Sequence, residues 1–150
     1  MGVKYNPSIV SDSLVVHVDA GNQRSYSGSG TNWADLSGNK NNGTLVNSPT
    51  YSSSDGGGSF VFNGTNNYVD FGLASYVFTA ITLSAWVKNI NPNNSNQTAV
   101  VWGKGRGNLD CSLVYGYSNP YLILGRENSY TNQITSPWTG SLLTGFHQVC

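Results

Sequence analysis

Ile81-Thr-Leu-Ser-Ala-Trp-Val-Lys88 is the stretch on which the fold turns. Apolar side chains stand at Ile81, Leu83, Ala85 and Val87, and Thr82, Ser84, Trp86 and Lys88 fill the places between them. A period of two puts the first set on one face of an extended strand and the second on the other; a helix would need a period of about 3.6. The stretch therefore predicts a half-buried β-strand with Trp86 on its polar side. For that indole, packing beneath a long loop is the commoner fate and is the expectation here.

The same alternation recurs outward from this strand. Leu14, Val16 and Val18 share one face of a predicted opening strand, with Val15, His17 and Asp19 on the other. Phe60 and Phe62 alternate with Val61, and Tyr68-Val69-Asp70-Phe71 alternates again after Asn63-Gly64. Asn-Gly favours a left-handed turn, so Phe60–Phe71 reads as a hairpin or a sharp reversal. Thr98–Trp102, Cys111–Tyr117, Tyr121–Arg126 and Phe146–Cys150 predict further strands, and Asn89–Gln97, with Pro92, predicts a loop. Gly21–Asn47 and Ser48–Gly58 read as long irregular connections. No helix beyond a turn or two is expected.

Composition narrows the function. A chain of 150 residues suits a single domain, 1–150, with 1–12 as an N-terminal arm. Seven basic and seven acidic side chains cancel, and only 9% of residues are charged, which excludes the cationic footprint of a nucleic-acid binder. Hydrophobic residues at 38% and aromatics at 12% suffice for a core. No apolar run approaches the roughly 18 residues of a membrane span. Met1–Val10 lacks the apolar region of a signal peptide, which predicts synthesis in a cytoplasm without Sec export. Cys111 and Cys150 are read as two thiols in preference to a disulfide.

Catalysis is disfavoured residue by residue. A glycosidase needs two carboxyls across the scissile bond. The single glutamate, Glu127, stands beside Arg126 with no acid two or four residues away, and Asp110 lies on a loop. No Gly-x-Ser-x-Gly elbow is present. His17, His147, Cys111 and Cys150 lack the close-spaced pairs of a zinc site. Gly103-Lys-Gly-Arg-Gly107 has no following helix to make a phosphate cradle, so Lys104 and Arg106 read as solvated loop cations.

Two binding chemistries stay open. Calcium takes six to eight oxygens, and Asp35, Asn39, Asn41 and Asn42 lie in one loop with Asp70 at the end of a strand. The alternative for that loop is an Asx-turn network in which the same side chains cap their own backbone. Carbohydrate recognition needs flat aromatic rings beside amides and hydroxyls; Trp102, Tyr115, Tyr117 and Tyr121 are the candidate aromatics.

Five segments in order carry a family resemblance. They are Leu14–Asp19 with Ala20-Gly-Asn22, Asp35-Leu-Ser-Gly-Asn-Lys-Asn-Asn-Gly-Thr-Leu45, Ser59–Phe71 (SFVFNGTNNYVDF), Ile81–Lys88 and Phe146-His-Gln-Val149. Together they resemble the laminin-G-like, concanavalin A-like lectin–glucanase jelly roll over nearly the whole chain. The resemblance implies an all-β, two-sheet antiparallel sandwich. The opening Gly2–Val10, running into Leu14–Asn22, looks more narrowly like lectin-fold domains of tailed-phage virion proteins. This implies a non-enzymatic virion structural or adhesion module, such as a capsid decoration, head fibre or tail-fibre component. Its expected partners are other virion subunits, in a homo-oligomer or assembly, and a cell-surface glycan. A calcium-assisted carbohydrate-binding domain of a larger secreted or surface protein is the alternative.

The sequence departs from the family in two places. Asn63, Asn66 and Asn67 replace aspartates usual in the hairpin, and the strands that normally follow the His-Val strand are missing. The expected sandwich is therefore incomplete at its C-terminus, as a fragment or as a chain completed by a neighbouring subunit.

Overall fold

The computed structural model describes residues 11–73 and 82–88, and the backbone of five strands at 99–103, 111–115, 120–124, 133–135 and 147–149. All regular structure among them is antiparallel β-strand, with no helix and so none long and apolar enough to cross a membrane. Two compact units divide between Gly72 and Leu73.

The first unit holds β1 (Asn32–Trp33), β2 (Gly43–Val46), β3 (Thr50–Ser52), β4 (Ser59–Val61) and β5 (Tyr68–Asp70). β2 lies between β1 and β5 in a three-stranded sheet, and β3 pairs with β4 as a ribbon. In β2, Gly43 and Leu45 are buried while Thr44 is exposed, the period-two pattern of a half-buried strand. The register sets Trp33 opposite Gly43, and Leu45 opposite Val69. A β-carbon on Gly43 would come within 2.6 Å of Val69 Cγ1 and 2.8 Å of Phe71 Cε1, so only glycine fits beneath those side chains.

Aromatic rings tie the sheet to the ribbon. Phe60 of β4 lies 4.8 Å, edge to face, from both Tyr26 and Trp33, and Tyr26 lies 4.9 Å from Tyr51 of β3. Such tilted pairs are each worth about 0.5–1.5 kcal/mol beyond their burial. The Tyr26 and Tyr51 hydroxyls donate to Gly30 O and Ala20 O, satisfying their polar ends. Trp33 Nε1 is buried with no acceptor among the described residues.

The second unit holds β6 (Ala85–Val87), β7 (Ala99–Gly103), β8 (Cys111–Tyr115), β9 (Pro120–Leu124), β10 (Gln133–Thr135) and β11 (His147–Val149). β7 to β10 form a four-stranded sheet in sequence order, with an irregularity between Val100 and Trp102. β6 pairs with β11, which sets Trp86 opposite Gln148. From Thr82 to Lys88 exposure alternates at every step: Leu83, Ala85 and Val87 are half-buried, and Thr82, Ser84, Trp86 and Lys88 are exposed.

Four expectations change. Among the described residues Leu14–Asp19 joins no ladder, and Leu14 to Val18 are half-buried without alternation. Apolar residues at both parities, Leu14, Val15, Val16 and Val18, give neither face to water. Phe60–Phe71 is not a hairpin, because β4 pairs back to β3 and β5 pairs with β2. The connections Gly21–Asn47 and Ser48–Gly58 contain β1, β2 and β3. Trp86 is not packed under a loop: it is 67% exposed. The loop Asn89–Gln97, the N-terminal residues 1–10 and Ile81 lie outside the described residues.

Candidate functional site

The best-formed polar constellation is the loop that runs from Asp35 to Asn42. The Asp35 carboxylate accepts four hydrogen bonds. Its Oδ1 receives the His17 and Ser37 N–H groups, each at 2.9 Å. Its Oδ2 receives the Ser37 hydroxyl at 2.6 Å and the Asn41 N–H at 3.0 Å. Asn42 Oδ1 accepts the Asp35 N–H at 2.9 Å. Short polar side chains separated by one or two residues make such turns because each reaches a nearby backbone amide. Lys40, at φ 62°, supplies the left-handed step that folds the loop back toward Asp35.

This loop grips the opening segment. The Asn39 amide donates to Leu14 O at 2.6 Å, and the Asn41 amide donates to Val15 O at 3.0 Å. The Leu36 N–H reaches His17 O at 2.7 Å. Together with the His17 N–H bond to Asp35, these contacts replace the ladder that Leu14–Asp19 lacks. Side chains of the loop thus do for this segment what a neighbouring strand does elsewhere.

The electrostatics follow from the same bonds. Burial is the strongest single influence on the Asp35 carboxyl and acts to raise its pKa. The His17 amide, the Ser37 hydroxyl and amide and the Asn41 amide all favour the anion, and together they hold it below its ordinary value of 3.8.

For calcium, Asp35, Asn39 and Asn41 come together in this loop, and Asp70 stands opposite Thr44, two residues past Asn42. Both Asp35 oxygens are already engaged twice. Asp70 Oδ1 accepts the Gly72 N–H at 2.8 Å. Among the described residues no group of three His, Cys, Asp or Glu gathers as a metal cluster. The Asn39 and Asn41 side-chain oxygens take part in none of these bonds.

The carbohydrate candidates divide by register. Trp102 stands opposite Leu113, two places along β8 from Tyr115, whereas Tyr121 stands opposite Val114. Register positions alternate between the faces of a sheet, so Trp102 and Tyr115 fall on one face and Tyr121 on the other. Tyr117 lies outside the described residues, as do Lys104, Arg106, Asp110, Arg126, Glu127 and Cys150.

Among the described residues three large apolar side chains are exposed: Trp86, Tyr68 at 53% and Phe62 at 41%. The sequence signal for Trp86 was its place on the polar side of its strand. Tyr68 and Phe62 flank the Asn-Gly turn, where the hairpin reading hid them. Compared with family models, curated proteins and solved structures, the chain finds no match.

Proposed function

We propose that this chain is a non-enzymatic structural or adhesion module of a tailed-phage particle. Its strands would belong to a concanavalin A-like jelly roll, and it would work as a capsid decoration, head fibre or tail-fibre component among copies of itself and other virion subunits. Exposed turns and rings would meet a host-surface glycan. One observation carries the reading. The Asp35–Asn42 loop, part of one of the five segments of the family resemblance, spends its carboxylate on holding Leu14–His17 in place. A carboxylate with four donors is committed to rigidity, which suits a particle component better than a catalyst.

The test is mass spectrometry of purified particles, followed by immuno-electron microscopy with antibody to the recombinant chain. Labelled particles at a fixed site are expected. A chain found only in the soluble fraction of the lysate would overturn the proposal.

The exposed Trp86 and Tyr68 rings favour a second reading, a calcium-assisted carbohydrate-binding domain of a larger secreted or surface protein. Under that reading the oxygens of Asn39, Asn41 and Asp70 would hold the ion. Saturating calcium would then raise the melting temperature by a few degrees, roughly 2–4 °C per kcal/mol for a domain of ~150 residues, and a chelator would reverse it. An unchanged melting temperature counts against calcium.

A further inference from the structure

We infer that the turn Phe62–Tyr68, braced by Asn47, is a contact site for a neutral oligosaccharide; this rests on the glycan-contacting role proposed above and assigns it to a place. Phe62 and Tyr68, 41% and 53% exposed, stand at the two ends of one short turn. Between them Asn63 Oδ1 accepts the N–H groups of Thr65, Asn66 and Asn67 at 2.9, 3.1 and 3.2 Å. Asn67 Nδ2 donates to Asn47 O at 2.6 Å, and Asn47 Nδ2 returns a bond to Asn66 O at 2.7 Å. The turn is therefore stapled to the end of β2 and is preorganised, so a ligand need not bear the cost of ordering it.

What the staples leave over fits a sugar. The Thr65 hydroxyl, Asn66 Nδ2, Asn47 Oδ1 and the Tyr68 hydroxyl take part in none of these bonds, and they offer donors and acceptors of the kind hydroxyl rims need. A sugar ring also presents C–H patches, for which an exposed aromatic face is the complementary surface. Charge selects further: no Asp, Glu, Lys, Arg or His occurs between Lys40 and Asp55 or between Asp55 and Asp70. Phosphate and carboxylate ligands find no counter-ion on the turn, whereas a neutral glycan needs none.

The experiment presents the full chain to an array of neutral glucose-, galactose-, mannose- and N-acetylglucosamine-terminated oligosaccharides, with sulfated and sialylated forms alongside. Binding to a neutral glycan is expected, with an affinity that falls at least about tenfold in Tyr68→Ala and stays within about threefold in Tyr68→Phe. Asn66→Ala is expected to weaken it also, by several-fold. Near-ultraviolet circular dichroism of each variant keeps misfolding apart from lost contact. Neutral-glycan binding that survives Tyr68→Ala and Phe62→Ala but is lost in Trp102→Ala or Trp86→Ala would overturn this site while leaving the adhesion role standing. Binding to anionic glycans alone, or to none of the array, would overturn it as well. Particle labelling reports separately on the virion role.

Discussion

Leu14–Asp19 and Thr82–Lys88 both read as strands in the sequence, yet they are held in opposite ways. In the second, polar and apolar residues trade places at every step, exposure follows the alternation, and Ala85–Val87 pairs with β11. In the first, four aliphatic residues crowd both parities, and the backbone is gripped by Asp35, Leu36, Asn39 and Asn41 instead of a strand. Alternation decides which face meets water; it does not supply a partner. Where a loop rich in Asx and serine lies alongside, its side chains compete successfully for the backbone groups that a ladder would use.

The sharpest way to break this contrast is Asp35→Ala. It strands the His17, Ser37 and Asn41 donors, and hydrogen bonds to a charged group are individually worth about 1.5–3 kcal/mol. A loss of about 2–4 kcal/mol in urea-induced unfolding is expected, with Asp35→Asn intermediate. A loss below about 0.5 kcal/mol would show that something other than the carboxylate holds the opening segment.

Acid should act on the first stretch and spare the second. The Asp35 carboxyl titrates lower in the folded chain than its ordinary 3.8. Its stabilisation is therefore complete above the unfolded value and is lost as pH falls through the lower folded one. Amide-resolved hydrogen exchange should show His17, Ser37 and Asn41 losing protection below pH 3.8, relative to the same titration in Asp35→Asn. The Ala85–Val87 amides should follow only the global transition. Equal loss at both stretches would mean that acid acts through the whole fold.

The smallest effect belongs to the exposed indole. Trp86→Thr should change stability by no more than about 0.5 kcal/mol, as a surface substitution does, whereas Val87→Ser on the half-buried side should cost about 1–2 kcal/mol. Reversal of that order in thermal unfolding would mean that the two faces of β6 had been exchanged.

The strand class was legible in the apolar runs at β7, β8 and β9, whose bounds differ from expectation by no more than two residues at either end. β1, β2, β3 and β10 were not legible. Asn32–Trp33 is too short to show a period, and Thr50–Ser52 and Gln133–Thr135 sit in polar surroundings where only a distant partner defines the strand. The Asn-Gly reversal was visible, but its flanking strands took partners earlier in the chain, which no local pattern announces. For the candidate loop, the residues from Asp35 to Asn42 were identifiable by type. Their object, the carbonyls of Leu14 and Val15, lies more than twenty residues away and was not.

Where Gly21 meets Gly58 the backbone leaves no room for a side chain: a β-carbon on Gly58 would fall 2.4 Å from Gly21 Cα, and one on Gly21 would fall 2.6 Å from Gly57 O. Gly58 also sits at φ 136°, a conformation other residues rarely adopt. This knot of bare backbone is a fixed waypoint for any future engineering of the chain. Foreign peptide inserted at the solvent-facing Gly28–Gly30 bend, where a β-carbon meets nothing within 4 Å, would leave the crossing untouched. That bend is the natural place to display an epitope or a tag.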